Sequence, residues 1–147
     1  MNYLKIEINC RRAVSEDDRA AVFAIRRSVF VEEQGVSEEL ERDEHDADAW
    51  HVIAESGERI IGAARCVGAK IGRVAVLHQF RGQRVGRQLM EWLLRELQAQ
   101  NLTEVYLDAQ VQVIPFYEQL GFAVEGELFE EAGILHRRMR RRLSTLP

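Results

Sequence analysis

The stretch from Ile71 to Met90, IGRVAVLHQFRGQRVGRQLM, restricts the fold more than any other part of the chain. Ile71–Leu77 is an apolar, β-branched run that predicts a strand. From about Val85 to Gln100 the apolar residues recur at helical spacing, with Val85, Leu89, Leu93 and Leu97 in one line and Met90, Trp92 and Leu94 widening it. So broad an apolar arc belongs to a helix buried against a sheet. Between strand and helix lie Gly82 and Gly86 with Arg81, Arg84 and Arg87. The first turn of a helix leaves backbone N–H groups without partners and carries the positive end of the dipole. Glycine lets a ligand approach that backbone, and arginine suits phosphate oxygens, so the junction reads as a site for a di- or polyphosphate. It is not a Walker loop, because no Gly-Lys-Ser/Thr follows. The dinucleotide-binding glycine spacing is absent too.

Elsewhere the pattern alternates between strand and helix. Tyr3, Ile6 and Ile8 suit a first strand. Ser15 and Asp18 resemble a capping box ahead of a helix from about Glu16 to Glu33, where Ala21, Val22, Ile25, Val29 and Phe30 share a face and Gly35 ends the run. The acidic segment that follows is expected to be loop or short helix. Trp50–Glu55 and Arg59–Val67 form a hairpin around Ser56-Gly57-Glu58. Val105–Ala109 is a short strand, and Ile114–Leu120 is a short helix with Pro115 in its first turn and Gly121 as its stop. Phe122–Glu127 and Ile134–Leu143 are strands around Ala132-Gly133. This order predicts a mixed α/β (α+β) fold, with a mostly antiparallel central sheet of about six to seven strands and helices on both faces. At 147 residues the chain fits a single domain spanning residues 1–147.

Composition removes several classes. With 46% hydrophobic and 30% charged residues the chain is expected to fold rather than stay disordered. No run is long and apolar enough for a bilayer span, and the N-terminus lacks the marks of a signal peptide, so no membrane partner is expected. Cys10 and Cys66 match no zinc or redox spacing and read as buried, reduced thiols of a cytoplasmic protein. The net charge of −4 is unevenly spread. Glu32–Asp48 is strongly acidic, but its Asp43–Asp48 portion lacks the glycine and distal glutamate of a calcium loop, so it reads as a solvated acidic loop with no metal. The basic HRRMRRRL run (His136–Leu143) has no interleaved aromatics for nucleic-acid stacking. As a strand it would split its arginines between two faces, which points to pairing with the acidic segment or with phosphates rather than to nucleic acid.

Arg81-Gly82-Gln83-Arg84-Val85-Gly86 resembles the Gln/Arg-x-x-Gly-x-Gly/Ala pattern of the GNAT superfamily of N-acyltransferases. Arg73–Leu77 resembles the strand before that pattern, and Phe116–Phe122 (FYEQLGF) resembles the family's FYEKLGF-type segment at the expected separation. VFVEEQGV (Val29–Val36), DAQ (Asp108–Gln110) and GILH (Gly133–His136) resemble its ElaA-like branch, so the likeness covers nearly the whole chain.

The resemblance implies an acetyl-coenzyme A-dependent N-acetyltransferase in which a primary amine attacks directly in a ternary complex. No cysteine or serine has a nucleophile's setting. The cosubstrate's pyrophosphate is expected on the backbone of Arg81, Gly82, Gln83, Arg84, Val85, Gly86 and Arg87. Its pantetheine arm is expected along Val74, Ala75 and Val76, with Gln110 where relatives place an asparagine. Tyr117, beside Phe116, is the expected general acid toward the leaving thiolate, and amides of an irregular fourth strand are the expected oxyanion donors. The base stays open among Glu32, Glu33, His51, His78, Asp108 and His136, with Glu33 and His136 ranked first because their segments are typical of the branch.

At Arg84 the family usually has glycine. The expectation is an ordinary right-handed conformation there, with the side chain helping to hold a phosphate; a positive φ would cost on the order of 1 kcal/mol. A coenzyme A-binding sensor of the same fold without turnover is the alternative. The acceptor stays open among polyamine, aminoglycoside, amino acid, peptide N-terminus and protein lysine, and an acidic rim at its mouth would favour cationic amines. A homodimer is compatible with the sequence, which carries no signal for oligomeric state.

Overall fold

The computed structural model describes residues 6–144, so the Tyr3 end of the expected first strand lies outside the described residues. Strand β1 is Asn9–Arg12, starting later than the apolar pattern suggested. Ile6 and Ile8 precede it and pack on the core without joining the ladder. Helix α1 (Glu16–Arg26) begins with the expected capping box, Ser15 and Asp18 each accepting the other's backbone N–H. The rod continues over Arg27–Glu33, but as a π-helix. Apolar spacing alone does not distinguish that wider winding, which tends to collect at functional sites.

Two short turns follow, α2 (Glu38–Glu41) and a 3₁₀ turn over Glu44–Ala47. Then come β2 (Trp50–Ser56), β3 (Arg59–Val67) and β4 (Lys70–Val76). Helix α3 (Val85–Ala99) crosses over to β5 (Glu104–Gln110), and α4 (Ile114–Gln119) precedes the hairpin of β6 (Ala123–Glu131) and β7 (Ile134–Arg142). That hairpin closes through Ala132 and Gly133, both at positive φ, as a tight turn between twisted strands requires.

The seven strands form one sheet in the order β1-β2-β3-β4-β5-β7-β6. Every pairing is antiparallel except β4 with β5, which the α3 crossover makes parallel. The two faces carry separate cores. Val22, Ile25 and Val29 of the first helical rod bury Ile53, Ala63 and Ala75 on one face. Val85, Leu89, Met90 and Leu93 of α3 cover Val52, Ala54, Ile61 and Ile71 on the other. The α/β sheet with helices on both faces is the one the sequence predicted.

Two irregularities of β4 position the site. Parallel pairing with β5 stops after Lys70↔Tyr106 and Ile71↔Leu107, so the strands diverge beyond that point. On the β3 side, neither Arg73 nor Val74 has a register partner, and Arg73 adopts φ 52°. This β-bulge reverses the side-chain alternation: Ile71, Val74 and Val76 all pack toward α3, although strict alternation would put Ile71 and Val76 on opposite faces.

Candidate active site

The divergence of β4 from β5 opens a cleft of about 940 Å³. One end is floored by the mouth of α3, where the unpartnered amides of the first turn lie. Gly82 holds φ 77° in the preceding loop, where a side chain would be strained. A β-carbon at Gly86 would lie 3.5 Å from Phe116 Cζ and 3.7 Å from Val76 Cγ2, which is ordinary contact, so Gly86 sits where α3 meets α4 and the end of β4 without a steric demand for glycine. Val74, Ala75, Val76, Arg81, Gly82, Arg84, Val85, Gly86, Arg87, Gln110, Phe116 and Tyr117 all line this one cleft.

Several details correct the expectations. Arg84 is left-handed, with φ 68° and ψ 16°, and caps α3 without a side-chain hydrogen bond. The chain must reverse sharply from the loop into the helix, and this residue makes the turn at a cost on the order of 1 kcal/mol. Its side chain stays exposed at the cleft. The Arg81 guanidinium is committed elsewhere: it donates to Val76 O at 3.0 Å and to both Glu33 carboxylate oxygens at 2.8 Å. Gln83 does not line the cleft, and its amide donates back to Gln79 O. Arg87 pairs with Glu91 one turn along α3. Gln110 donates to Gln34 Oε1 at 2.9 Å and accepts from Gln112 at 2.7 Å, which links β5 to the end of the π-helix.

Tyr117 lies against the cleft with its ring edge-on to Phe116 (5.0 Å) and Phe122 (5.9 Å). Burial pushes its phenol well above the ordinary tyrosine value, so it is a neutral hydrogen-bond donor across the working pH range.

Of the base candidates, only Asp108 and His136 line the cleft. Glu33, ranked first with His136 from the sequence, is held below the usual glutamate range by its hydrogen bonds from Arg81, which makes it a poor proton acceptor. Burial alone would raise Asp108, but hydrogen bonds from Arg138 and the charge of Lys70 reverse this and hold it low. His51 is buried with Nε2 2.8 Å from Asp46 O. His136 differs: its Nδ1 lies 2.7 Å from Ile134 O, and its ring stacks on Phe129 at 5.8 Å. A carbonyl only accepts, so Nδ1 carries the hydrogen and the neutral ring keeps its lone pair on Nε2.

The acidic segment is solvated only in part: Glu32, Glu38, Glu39, Glu44 and Asp48 are exposed, whereas Glu41, Asp43 and Asp46 turn inward to arginines. Glu41 is 4% exposed and receives hydrogen bonds from Arg26, which is 1% exposed, at 2.7–3.0 Å. Asp46 bonds Arg26 and Arg65, and Asp43 bonds Arg65 and Arg73. The helix–sheet junction buries Glu41, largely covers Asp46 and leaves Asp43 partly exposed, and arginines from α1, β3 and β4 neutralise all three. The basic strand β7 does not reach them. Arg138 instead pairs with Asp108, and Arg140 with Glu104 and Glu125, across neighbouring strands of the sheet. Sequence reasoning missed Arg65, Lys70 and Arg73 as cleft residues, although Arg65 and Arg73 are cations inside strand-like runs and Lys70 directly precedes one. Both cysteines are free thiols, Cys66 buried and Cys10 only half-buried, and burial pushes Cys66 up to about 11. Among the described residues no helix is long and apolar enough to cross a membrane.

Comparison with known proteins agrees with this geometry. YjcF, an uncharacterized N-acetyltransferase of Bacillus subtilis (strain 168), is 34% identical over 132 residues, covering 86% of this chain and 94% of its own. Protein ElaA of Escherichia coli (strain K12) is 32% identical over 125 residues, covering 79% and 82%. The Escherichia coli ElaA crystal structure superposes with a TM-score of 0.81 at 30% identity, covering 92% of this chain and 99% of that one. An acyl-CoA N-acyltransferase from Pseudomonas aeruginosa gives the same TM-score of 0.81, the same 30% identity and the same coverage of 92% and 99%. Residues 12–143 match the acetyltransferase (GNAT) domain model, and the chain belongs to the GNAT acetyltransferase family, in its ElaA-like branch.

Proposed function

We propose that residues 1–147 are a single acyl-CoA N-acyltransferase domain that moves an acetyl group from acetyl-coenzyme A to a primary amine by direct attack. The observation that carries this is the cleft between β4 and β5, with the α3 amides at one end and the β4 bulge along its wall. The residues fit the cosubstrate. Val85, Gly86 and Arg87 offer amides to the diphosphate at a positive helix end, and Arg84 adds an exposed guanidinium. Val74–Val76 have no strand beside them on the β5 side, so their backbone is available to an extended pantetheine arm. The bound cosubstrate supplies an activated thioester.

The chain's own groups do the rest. His136 Nε2 takes a proton from the acceptor, since only the neutral amine attacks. Amides at the β4 bulge meet the charge that develops on the acyl oxygen as the C–N bond forms and the C–S bond breaks. The Tyr117 hydroxyl gives a proton or a hydrogen bond to the departing sulfur. A cytoplasmic setting is proposed from the free thiols. The test is thiol release from acetyl-coenzyme A with a panel of amines, beside calorimetric binding. Release with at least one amine supports the proposal. Tight binding with no release on any amine replaces it with a sensor role, and no binding by folded protein ends it.

A further inference from the structure

We propose that Arg73 is a positioning residue: tied down by the α2 segment, its side chain holds the β4 bulge in the shape that aims amides into the cleft. The proposal rests on the acetyl-transfer reading. Arg73 is the bulge residue itself, at φ 52° without being glycine. Nothing on β3 pairs with it or with Val74, and nothing on β5 pairs beyond Ile71. The sheet ladder therefore does not fix this segment from either side. The guanidinium makes up for that. Nε donates to Glu41 O at 3.1 Å and Glu41 Oε2 at 2.9 Å, while Nη2 donates to Glu41 O at 3.0 Å, Leu40 O at 3.3 Å and Asp43 Oδ2 at 3.3 Å.

These acceptors do not give way easily. Glu41 is buried and simultaneously bound by Arg26, and Asp43 is bound by Arg65 at 2.6 Å. Arg26, Arg65 and Arg73 thus face Glu41, Asp43 and Asp46 in one closed network of equal charge. A planar fork reaching two backbone carbonyls and two carboxylates is a geometry lysine does not reproduce. Leu40 and Glu41 of α2 line the same cleft but take no part in the chemistry of this scheme; the segment's work is to grip a strand that lacks neighbours. The α3 amides grip the phosphates independently of the bulge, whereas Val74 belongs to the bulge and to the stretch that meets the pantetheine arm, so loosening the bulge lowers turnover more than cosubstrate binding.

The experiment uses full-length Arg73→Gly and Arg73→Lys. Glycine tolerates the positive φ and keeps Arg26–Glu41 paired, so it removes the clamp without forbidding the bulge. Amide hydrogen exchange at residues 72–75, read by NMR without substrate, is expected to accelerate about tenfold or more while α3 amides keep their wild-type rates. In thiol-release assays kcat is expected to fall roughly tenfold to a hundredfold, with a smaller rise in the acetyl-coenzyme A KM because the α3 phosphate grip is kept. Wild-type exchange at 72–75, or undiminished kcat in Arg73→Gly, overturns the proposal; so does a loss that appears in KM alone. If wild-type protein releases no thiol on any amine, the acetyl-transfer reading fails by itself. The exchange rates then still decide the clamp, faster exchange supporting it and unchanged exchange overturning it.

Discussion

Replacing Arg84 by glycine separates two quantities that this residue couples. Its left-handed backbone, φ 68° and ψ 16°, costs a side-chain-bearing residue roughly 1–2 kcal/mol. Glycine removes that cost but frees the unfolded chain, which returns about 0.4–1 kcal/mol. The net stabilisation is therefore roughly 0.5–1 kcal/mol, or about 1.5–3 °C in Tm for a domain of this size. Binding moves the other way. A charge-assisted hydrogen bond is worth about 1.5–3 kcal/mol, and the exposure of Arg84 places its contribution at the low end. Acetyl-coenzyme A is thus expected to bind Arg84→Gly about tenfold more weakly, equivalent to about 1.4 kcal/mol. Thermal melts without ligand and isothermal calorimetry read the two effects separately. Arg84→Ala is the control: it loses the guanidinium but keeps the strain, so its affinity falls as far without the gain in Tm. Unchanged or tighter binding by Arg84→Gly removes the side chain from phosphate recognition, and a lower Tm shows that no strain is stored at the turn.

Further outcomes follow from the same geometry. Tyr117→Phe keeps both aromatic contacts and is expected to lower kcat by about 10²-fold or more with little change in acetyl-coenzyme A affinity; undiminished turnover takes the phenol out of the reaction. His136→Gln is expected to cut kcat on the same order, whereas Glu33→Gln breaks only a partly exposed pair worth up to about 1 kcal/mol and retains most of the turnover. Severe kcat loss in Glu33→Gln at constant KM reverses that assignment. Acid stability tests the carboxylates. Hydrogen bonds from Arg11 hold Asp18 low, those from Arg65 hold Asp43 low, and those from Arg26, Asp43 N–H and Arg65 hold Asp46 low against its burial. Folded values below the unfolded ones mean this stabilisation is complete above about pH 4 and is lost as pH falls through the folded values. Tm is accordingly expected to hold at neutral pH and to decline below about pH 4, and a flat profile down to pH 3 contradicts the ion-pair account.

What could be read from residues alone divides along a physical line. Helical periodicity located α3, a continuous apolar run beside a turn located the Arg59–Val67 strand, and a local hydrogen bond gave the Ser15 cap, because each is written into neighbouring residues. The turn from Arg81 into α3 was legible for the same reason: glycine freedom and a helix start are properties of seven consecutive positions. What stayed hidden depends on partners far away in sequence. Arg81 reads as a phosphate ligand until Glu33, 48 residues distant, takes both of its terminal nitrogens. Glu41, Asp43 and Asp46 read as solvated until Arg26, Arg65 and Arg73 converge on them from three elements. Arg73 shows most clearly why. Under strict alternation IGRVAV puts Ile71, Arg73 and Ala75 on one face, a charge amid core residues. The chain resolves that conflict by bulging, so that Ile71 packs toward α3 while Ala75 packs toward α1. A charged residue at an apparent core position of a strand was therefore the signal for both the bulge and its clamp. It becomes readable only when the conflict is treated as information about backbone shape and not as noise in the pattern.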